Sequence, residues 1–334
     1  MEPLLFIISA KMGKTLNRPK GVVFIITYRC NLRCLHCNLW RDYANYKDME
    51  LKFDDIKRLL IDLREFGVQE INYSGGEPLL KENFDKVLYF GYKLGFKQIV
   101  DTNGTLIDEY WAEIFKKYDI NVNLSLEGPR KINDLIRGKG HFDSTIRAIE
   151  LLKDKGLIPH VNLTLAKYNI KYLREFCEII KNLNVKCGFQ PIVEGGTVFP
   201  NSNPKFKYHY TNDEIQFVRS IIKEYRDIID GSDLYYEEML KYMTGLRRRS
   251  CVVAYRRITI DPMGYVYPCS FWKEPIGHIS QGIANIWYSE KFETERRKMR
   301  QCNKCFLGCY EPDNITYNQF VKRAMNTIKI KLKI

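Results

Sequence analysis

The sequence predicts an α/β fold of parallel strands joined by right-handed helical crossovers, followed by a small cysteine-rich C-terminal unit. Three observations predict it. Strand-like apolar runs at 21–28, 69–74, 97–102, 120–126, 159–165 and 186–193 alternate with stretches of helical spacing. Groups rich in Cys, Gly, Asn, Ser and acidic residues follow the first four runs, at one end of the presumed sheet. Beyond residue 250, five cysteines flank two short β-prone runs.

The first run, Gly21 to Tyr28, reads as a buried strand and leads into Cys30-Asn-Leu-Arg-Cys34-Leu-His-Cys37. This C-x3-C-x2-C spacing places three thiols on one short loop. Three thiolates leave a tetrahedral site, or one iron of a cubane cluster, with a vacancy for substrate or cofactor. The alternative is zinc closed by a fourth residue from elsewhere. A helical pattern follows in Phe53-Ile56-Leu59-Leu60-Leu63, with Asp54 and Asp55 supplying first-turn carboxylates. The second run ends in Ser74-Gly75-Gly76-Glu77-Pro78, where two glycines permit close backbone approach. The third ends in Asp101-Thr102-Asn103-Gly104 and the fourth in Asn123-Leu-Ser125-Leu-Glu127-Gly128. A further helix is expected from Phe142-Ile146-Ile149-Leu152, started by Asp143 and Ser144. Cys177 on an apolar helix face and Cys187 at a strand start read as inert core thiols.

These segments together resemble the radical S-adenosylmethionine (SAM) superfamily. The resemblance implies a partial (β/α)6 TIM-like barrel and a [4Fe–4S] cluster on Cys30, Cys34 and Cys37, whose remaining iron takes SAM. It implies that Glu77 takes the methionine ammonium, that Gly75 and Gly76 let backbone groups approach the cofactor closely, and that Thr102 and Asn103 lie near it. Ser125 and Glu127 take the position of ribose ligands, although Asp is commoner than Glu there. His36 falls beside the adenine position, with packing or a backbone contact favoured over acid–base work. Arg137 either helps hold SAM or pairs with a surface carboxylate. The activity implied is reductive cleavage of SAM to methionine and a 5′-deoxyadenosyl radical, which abstracts hydrogen from a substrate. The implied electron source is a reductant such as ferredoxin or flavodoxin.

The C-terminal group is Cys251, Cys269, Cys302, Cys305 and Cys309. Between the first two, Ile258 to Tyr267 reads as a hairpin turning on Asp261-Pro262-Met263-Gly264. The C-x12-G-x4-C pattern from Cys251 through Gly264 to Cys269 resembles the SPASM and shorter twitch extensions of the same superfamily. Five cysteines fill one four-cysteine cluster and not two. The expectation is therefore one auxiliary [4Fe–4S] cluster on Cys251, Cys269, Cys302 and Cys305, with Cys309 a rival ligand and zinc the alternative metal. Such a cluster either accepts an electron from the substrate radical or anchors the unit.

The resulting division is an N-terminal arm (1–20), a barrel core (21–193), a linker with helical segment (194–250), an auxiliary cluster unit (251–312) and a basic tail (313–334). A chain of 334 residues, 45% hydrophobic, buries a sizeable core. No apolar run approaches the roughly 20 residues that cross a bilayer. Ten cysteines without a secretion signal point to the cytoplasm and to metal chemistry rather than disulfides. About twenty residues precede the first strand, too few for an N-terminal cobalamin-binding or peptide-recognition module. The net charge of +13 favours an anionic substrate: a small molecule, a lipid-linked molecule or a peptide. Arg247-Arg248-Arg249 and Arg256-Arg257 concentrate that charge. The apolar–cationic tail 328–334 and Leu4 to Ile8 keep peripheral membrane contact open. A zinc-bearing nucleic-acid binder and a non-catalytic scaffold are the competing classes. Neither accounts for three ligand-like segments at successive strand ends.

Overall fold

Apolar residues that alternate with polar ones along successive strands have only one way to be buried, against helices on one side. The computed structural model, which describes residues 8–9, 12, 15–42, 49–193, 210–245 and 251–307, is built on that rule. Its strands are β1 (Gly21–Thr27), β2 (Glu70–Gly75), β3 (Lys97–Thr102), β4 (Asn121–Ser125), β5 (His160–Leu165), β6 (Lys186–Pro191), β7 (Arg257–Ile260), β8 (Tyr265–Tyr267) and β9 (Gly277–His278). They form one sheet in the order β6-β5-β4-β3-β2-β1-β7-β8-β9. Pairing is parallel from β6 through β1 to β7, and antiparallel only from β7 to β9. The expected α/β architecture with six parallel strand–helix units is present, and among the described residues the sheet stays open between β6 and β9.

Helices α1 (Phe53–Glu65), α2 (Phe84–Lys93), α3 (Glu109–Lys117), α4 (Arg130–Arg137), α5 (His141–Asp154) and α6 (Leu173–Asn182) fall between the parallel strands. In β4, Val122 and Leu124 are buried, whereas Asn123 and Ser125 remain partly accessible. The same alternation recurs in β3 and β6. The helix-covered face is thus apolar and the concave face polar. In β1 every residue is buried, because it has neighbours on both edges and cover on both faces.

α1 buries Ile56, Leu59, Leu60 and Leu63, as its spacing predicts, and Asp55 accepts from the Lys52 backbone N–H at 3.1 Å. α5 departs from expectation. Its buried face is His141-Thr145-Ala148-Ile149-Leu152, with Phe142 and Ile146 at the margin. Its start is capped by Asp134, which accepts from Gly140 and Phe142 N–H groups at 2.8 Å each. Asp143 instead pairs with Arg130. The preceding α4 supplied a better-placed carboxylate than the local sequence did.

The C-terminal hairpin is an extension of the main sheet. Gly21 to Phe24 pair in parallel with Arg257 to Ile260. Leu51 N–H donates to Pro262 O at 2.7 Å, Ile283 N–H to Asp62 at 2.8 Å, and Arg257 to Glu70 at 2.7 Å. Helices α7 (Asn212–Glu224) and α8 (Asp233–Met243) pack beside β6 and α6. Helices α9 (Ile283–Trp287) and α10 (Glu290–Met299) hold the arm, since Trp287 donates to Asn17 O and Glu293 accepts from Thr15 N–H. Cys309, Arg247 to Arg249, Leu4 to Ile7, most of the 194–212 loop and the tail 313–334 lie outside the described residues. No described helix is long and apolar enough to cross a membrane.

Candidate active site

The polar ends of the parallel strands converge on a cavity of about 320 Å3, within the range of small-molecule sites. Cys30, Cys34 and Cys37 line it, together with Gly75, Gly76, Thr102, Asn103, Ser125, Arg137 and His36. On the C-terminal side it is bounded by Ser270, Phe271 and Leu307, the first two directly after Cys269 and the last two residues beyond Cys305. Segments from the two cysteine groups, far apart in sequence, therefore border one space.

The cysteine loop is held by backbone contacts that need glycine. Gly76 N–H donates to Thr27 O at 2.9 Å and Glu77 N–H to Arg29 O at 2.7 Å. A Cβ on Gly75 would lie 2.3 Å from Thr27 O, and one on Gly76 2.1 Å from Arg29 O. Both glycines line the cavity, but the contacts that forbid a side chain are with the backbone at the end of β1 and at the start of the cysteine loop. Asn103 donates to Asn31 Oδ1 at 2.9 Å and Asn31 to Thr105 Oγ1 at 2.8 Å, tying the loop to the end of β3. Glu50 accepts from Tyr28 N–H and Thr27 Oγ1, and pairs with Lys81 at 3.0 Å.

Glu77 is buried and is not among the residues that line the cavity. Its fully buried carboxylate accepts from Thr102 Oγ1 at 2.7 Å, Asn103 N–H at 2.8 Å and Leu79 N–H at 3.1 Å. Burial raises its pKa to about 6 against those three donors. It joins the ends of β2 and β3 behind the cavity wall. Glu127 is likewise fully buried. Arg137 Nε donates to it at 3.0 Å, Thr164 N–H at 2.9 Å, and its own backbone N–H is taken by Asn133 Oδ1. The surface-carboxylate option for Arg137 is thereby corrected, because its partner is an interior carboxylate. Burial disfavours the Arg137 cation, but Glu127 and the neighbouring Cys34 outweigh it and hold its pKa above the usual value.

His36 lies 3.8 Å from Glu127 and 3.2 Å from the Tyr168 hydroxyl. Burial lowers its pKa to about 4, so the ring is neutral near pH 7. His141, which the sequence gave no reason to single out, is equally important to the wall. Its Nε2 contacts Asn103 O at 3.0 Å and its Nδ1 contacts Asn133 Nδ2 at 3.0 Å. A carbonyl only accepts, so Nε2 carries the proton and Nδ1 accepts from Asn133.

Burial pushes the Cys30 thiol up to about 12 and raises Cys34 and Cys37 as well. Cys251 and Cys269 are buried and Cys302 and Cys305 half-buried; burial first, then the fields of Cys251 and Cys302, raise the pKa of Cys269. None of the nine described cysteines forms a disulfide. Among the described residues, no three His, Cys, Asp or Glu side chains converge as a single ion requires. Cys177 and Cys187 are fully buried in the core, away from the cavity.

A parallel α/β sheet with three thiols at its carboxyl end, lining a cavity that the segments after Cys269 and Cys305 also border, has the soft donor set that suits an iron–sulfur centre. Residues 24–181 match the radical SAM superfamily, and residues 251–306 match SPASM, an iron–sulfur cluster-binding domain. The chain binds SAM at a [4Fe–4S] centre and carries an auxiliary iron–sulfur cluster. The Fe-coproporphyrin III synthase of Methanosarcina barkeri is 34% identical over 166 residues, covering 48% of this chain and 40% of that protein. Mycofactocin maturase MftC of Mycolicibacterium smegmatis is 25% identical, over 87% of this chain and 75% of that one. The cysteine-type anaerobic sulfatase-maturating enzyme of Clostridium perfringens is 26% identical over 83% of both. The structure of Streptococcus suis SuiB bound to precursor peptide SuiA shares the fold, with TM-score 0.69 and 21% identity over 90% of this chain and 72% of that one.

Proposed function

We propose that the enzyme cleaves SAM reductively to a 5′-deoxyadenosyl radical, abstracts hydrogen from a substrate in the cavity and completes a net oxidation with its auxiliary cluster. One observation carries this reading: a single cavity is bordered by Cys30, Cys34 and Cys37 on one side and by the neighbours of Cys269 and Cys305 on the other. Cys30, Cys34 and Cys37 are the proposed ligands of the SAM-binding cluster. Cys251, Cys269, Cys302 and Cys305 are those of the auxiliary one, with Cys309 the rival. Gly75, Gly76, Thr102, Asn103, Ser125, Arg137 and His36, all on the cavity wall, are the proposed SAM contacts. Glu77 and Glu127 act through the loops and the arginine that they hold. A substrate seated in the cavity would close it to water and hold the reacting hydrogen at a fixed distance.

A peptide substrate is supported by the maturase relatives and by the SuiB complex. A small anionic molecule is the second reading, favoured by the net charge of +13 and by the match to Fe-coproporphyrin III synthase. Electrons would come from a ferredoxin or flavodoxin.

The test is iron, sulfide and zinc content with 5′-deoxyadenosine formation after anaerobic reconstitution. Wild type is expected to hold about eight irons, and the Cys30/Cys34/Cys37→Ala and Cys251/Cys269→Ala variants about four each. SAM cleavage should vanish in the first variant. About four irons in wild type, all lost with the first triplet, would leave the second group to zinc and remove the oxidative role.

A further inference from the structure

The cysteine loop carries an apolar side chain that the cavity does not use. Cys37 N–H donates to Cys34 O at 3.1 Å, closing a four-residue turn with Leu35 at its corner. Leu35 is 44% exposed and is not among the residues that line the cavity. Its N–H donates to Ile136 O at 2.9 Å, which sets the turn against the end of α4. That helix buries Ile132, Asn133 and Ile136 and turns Lys131 and Leu135 outward, leaving Leu135 65% exposed. Two leucines from separate segments are thus exposed at one join, and one of them follows Cys34 directly.

The rim of this join is cationic. Lys131 and Lys139 are exposed and make no ion pair among the described residues. Arg33, in the loop, stacks on Trp40 at 4.8 Å and donates to the carbonyls of Cys30 and Leu32. The acidic groups of the same segment are engaged, Asp134 by the Gly140 and Phe142 N–H groups and Asp143 by Arg130. On either side of Lys139, a Cβ on Gly138 or Gly140 would meet nothing within 4 Å, so the surface there is low. An apolar centre with a basic rim is complementary to an acidic protein surface.

We infer that Leu35 and Leu135, rimmed by Arg33, Lys131 and Lys139, form the docking surface for a small acidic electron-carrier protein. This rests on the radical-enzyme reading and names where its electron enters. The reduced carrier loses one electron and the oxidised cluster on the adjoining cysteines gains it, with no bond or proton exchanged. Electron transfer weakens steeply with distance. Leu35 is bonded to the Cys34 residue, so a carrier seated here lies closer to the first cluster than one seated on the auxiliary unit. A small contact with a charged rim suits electron-transfer pairs, which meet briefly and through little area.

The probe is flavodoxin, with dithionite as a small reductant that needs no docking. Binding of oxidised flavodoxin to the reconstituted protein is measured by calorimetry at low and high salt. Cluster reduction by flavodoxin hydroquinone is followed by stopped-flow absorbance. Leu35→Gln/Leu135→Gln should weaken binding and slow reduction by about tenfold. Lys131→Glu/Lys139→Glu should do the same and flatten the salt dependence. Dithionite-driven 5′-deoxyadenosine formation should stay at the wild-type level in both. Iron content shows whether the loop is intact; should Leu35→Gln lose iron, Leu135→Gln and the lysine pair decide. No flavodoxin binding to wild type, or unchanged affinity and rate in the surface variants, would overturn the assignment. So would loss of flavodoxin reduction of the first cluster in Cys251/Cys269→Ala, which places entry at the auxiliary unit. A wild-type dimer in sedimentation that the leucine variant breaks assigns the face to a second copy instead. Failure of wild type to form 5′-deoxyadenosine with dithionite, with flavodoxin binding intact, sinks the radical reading and leaves the docking surface standing.

Discussion

Arg137 Nε lies 3.0 Å from Glu127 Oε1, and the carboxylate is wholly inside the protein beneath the cysteine loop. The pair joins the end of α4 to the segment after β4, while Leu35 N–H donates to Ile136 O at 2.9 Å. An interior ion pair is tolerated only when both charges remain satisfied. Replacing Glu127 by Ala should therefore destabilise the folded chain by about 3–5 kcal/mol, by stranding Arg137. The Glu127→Leu/Arg137→Leu double variant should recover much of the loss. Urea unfolding midpoints check this, and a double variant no more stable than the single one would contradict it.

Gly76 is set against the backbone of Arg29, not against a movable side chain. Gly76→Ala should displace the cysteine loop and abolish iron retention at the first site while leaving the second loaded. Iron content near that of the Cys30/Cys34/Cys37→Ala variant is the expected reading. Full iron occupancy with normal SAM cleavage would show that the loop yields without penalty.

His141 is held neutral by burial, with Arg137 and the Asn103 carbonyl as its neighbours, and its pKa falls to about 3 from an ordinary value near 6.5. Between these values the unfolded chain binds the proton and the folded chain does not, so stability rises with pH across that window. The contribution is complete above about pH 6.5 and is lost as the pH falls toward 3. Unfolding free energies measured from pH 4 to pH 7 should show a steeper slope in wild type than in His141→Gln. Equal slopes would place the acid sensitivity elsewhere.

The sequence alone determined the strand–helix alternation, because apolar periodicity reports burial directly. It also determined the two cysteine groups and the glycines beside them, because thiol spacing and the lack of a Cβ are local properties. It misplaced the start of the helix at His141, where Asp134 from the preceding helix captures the free N–H groups that Asp143 was expected to meet. It gave no sign of the contacts from Asn103 to Glu77 or from Arg137 to Glu127, which join residues 26 and 10 apart in the chain. Only the tertiary structure decided that β7 joins β1, bringing the Cys269 and Cys305 segments to the same cavity as Cys30. Only the register of β2, β3 and β4 sets Asn72, Ser74, Asp101 and Asn123 together. Periodicity fixes which face a side chain takes along its own strand. Which strands lie next to it, and how far each is shifted, is set by hydrogen bonds between segments far apart in the chain.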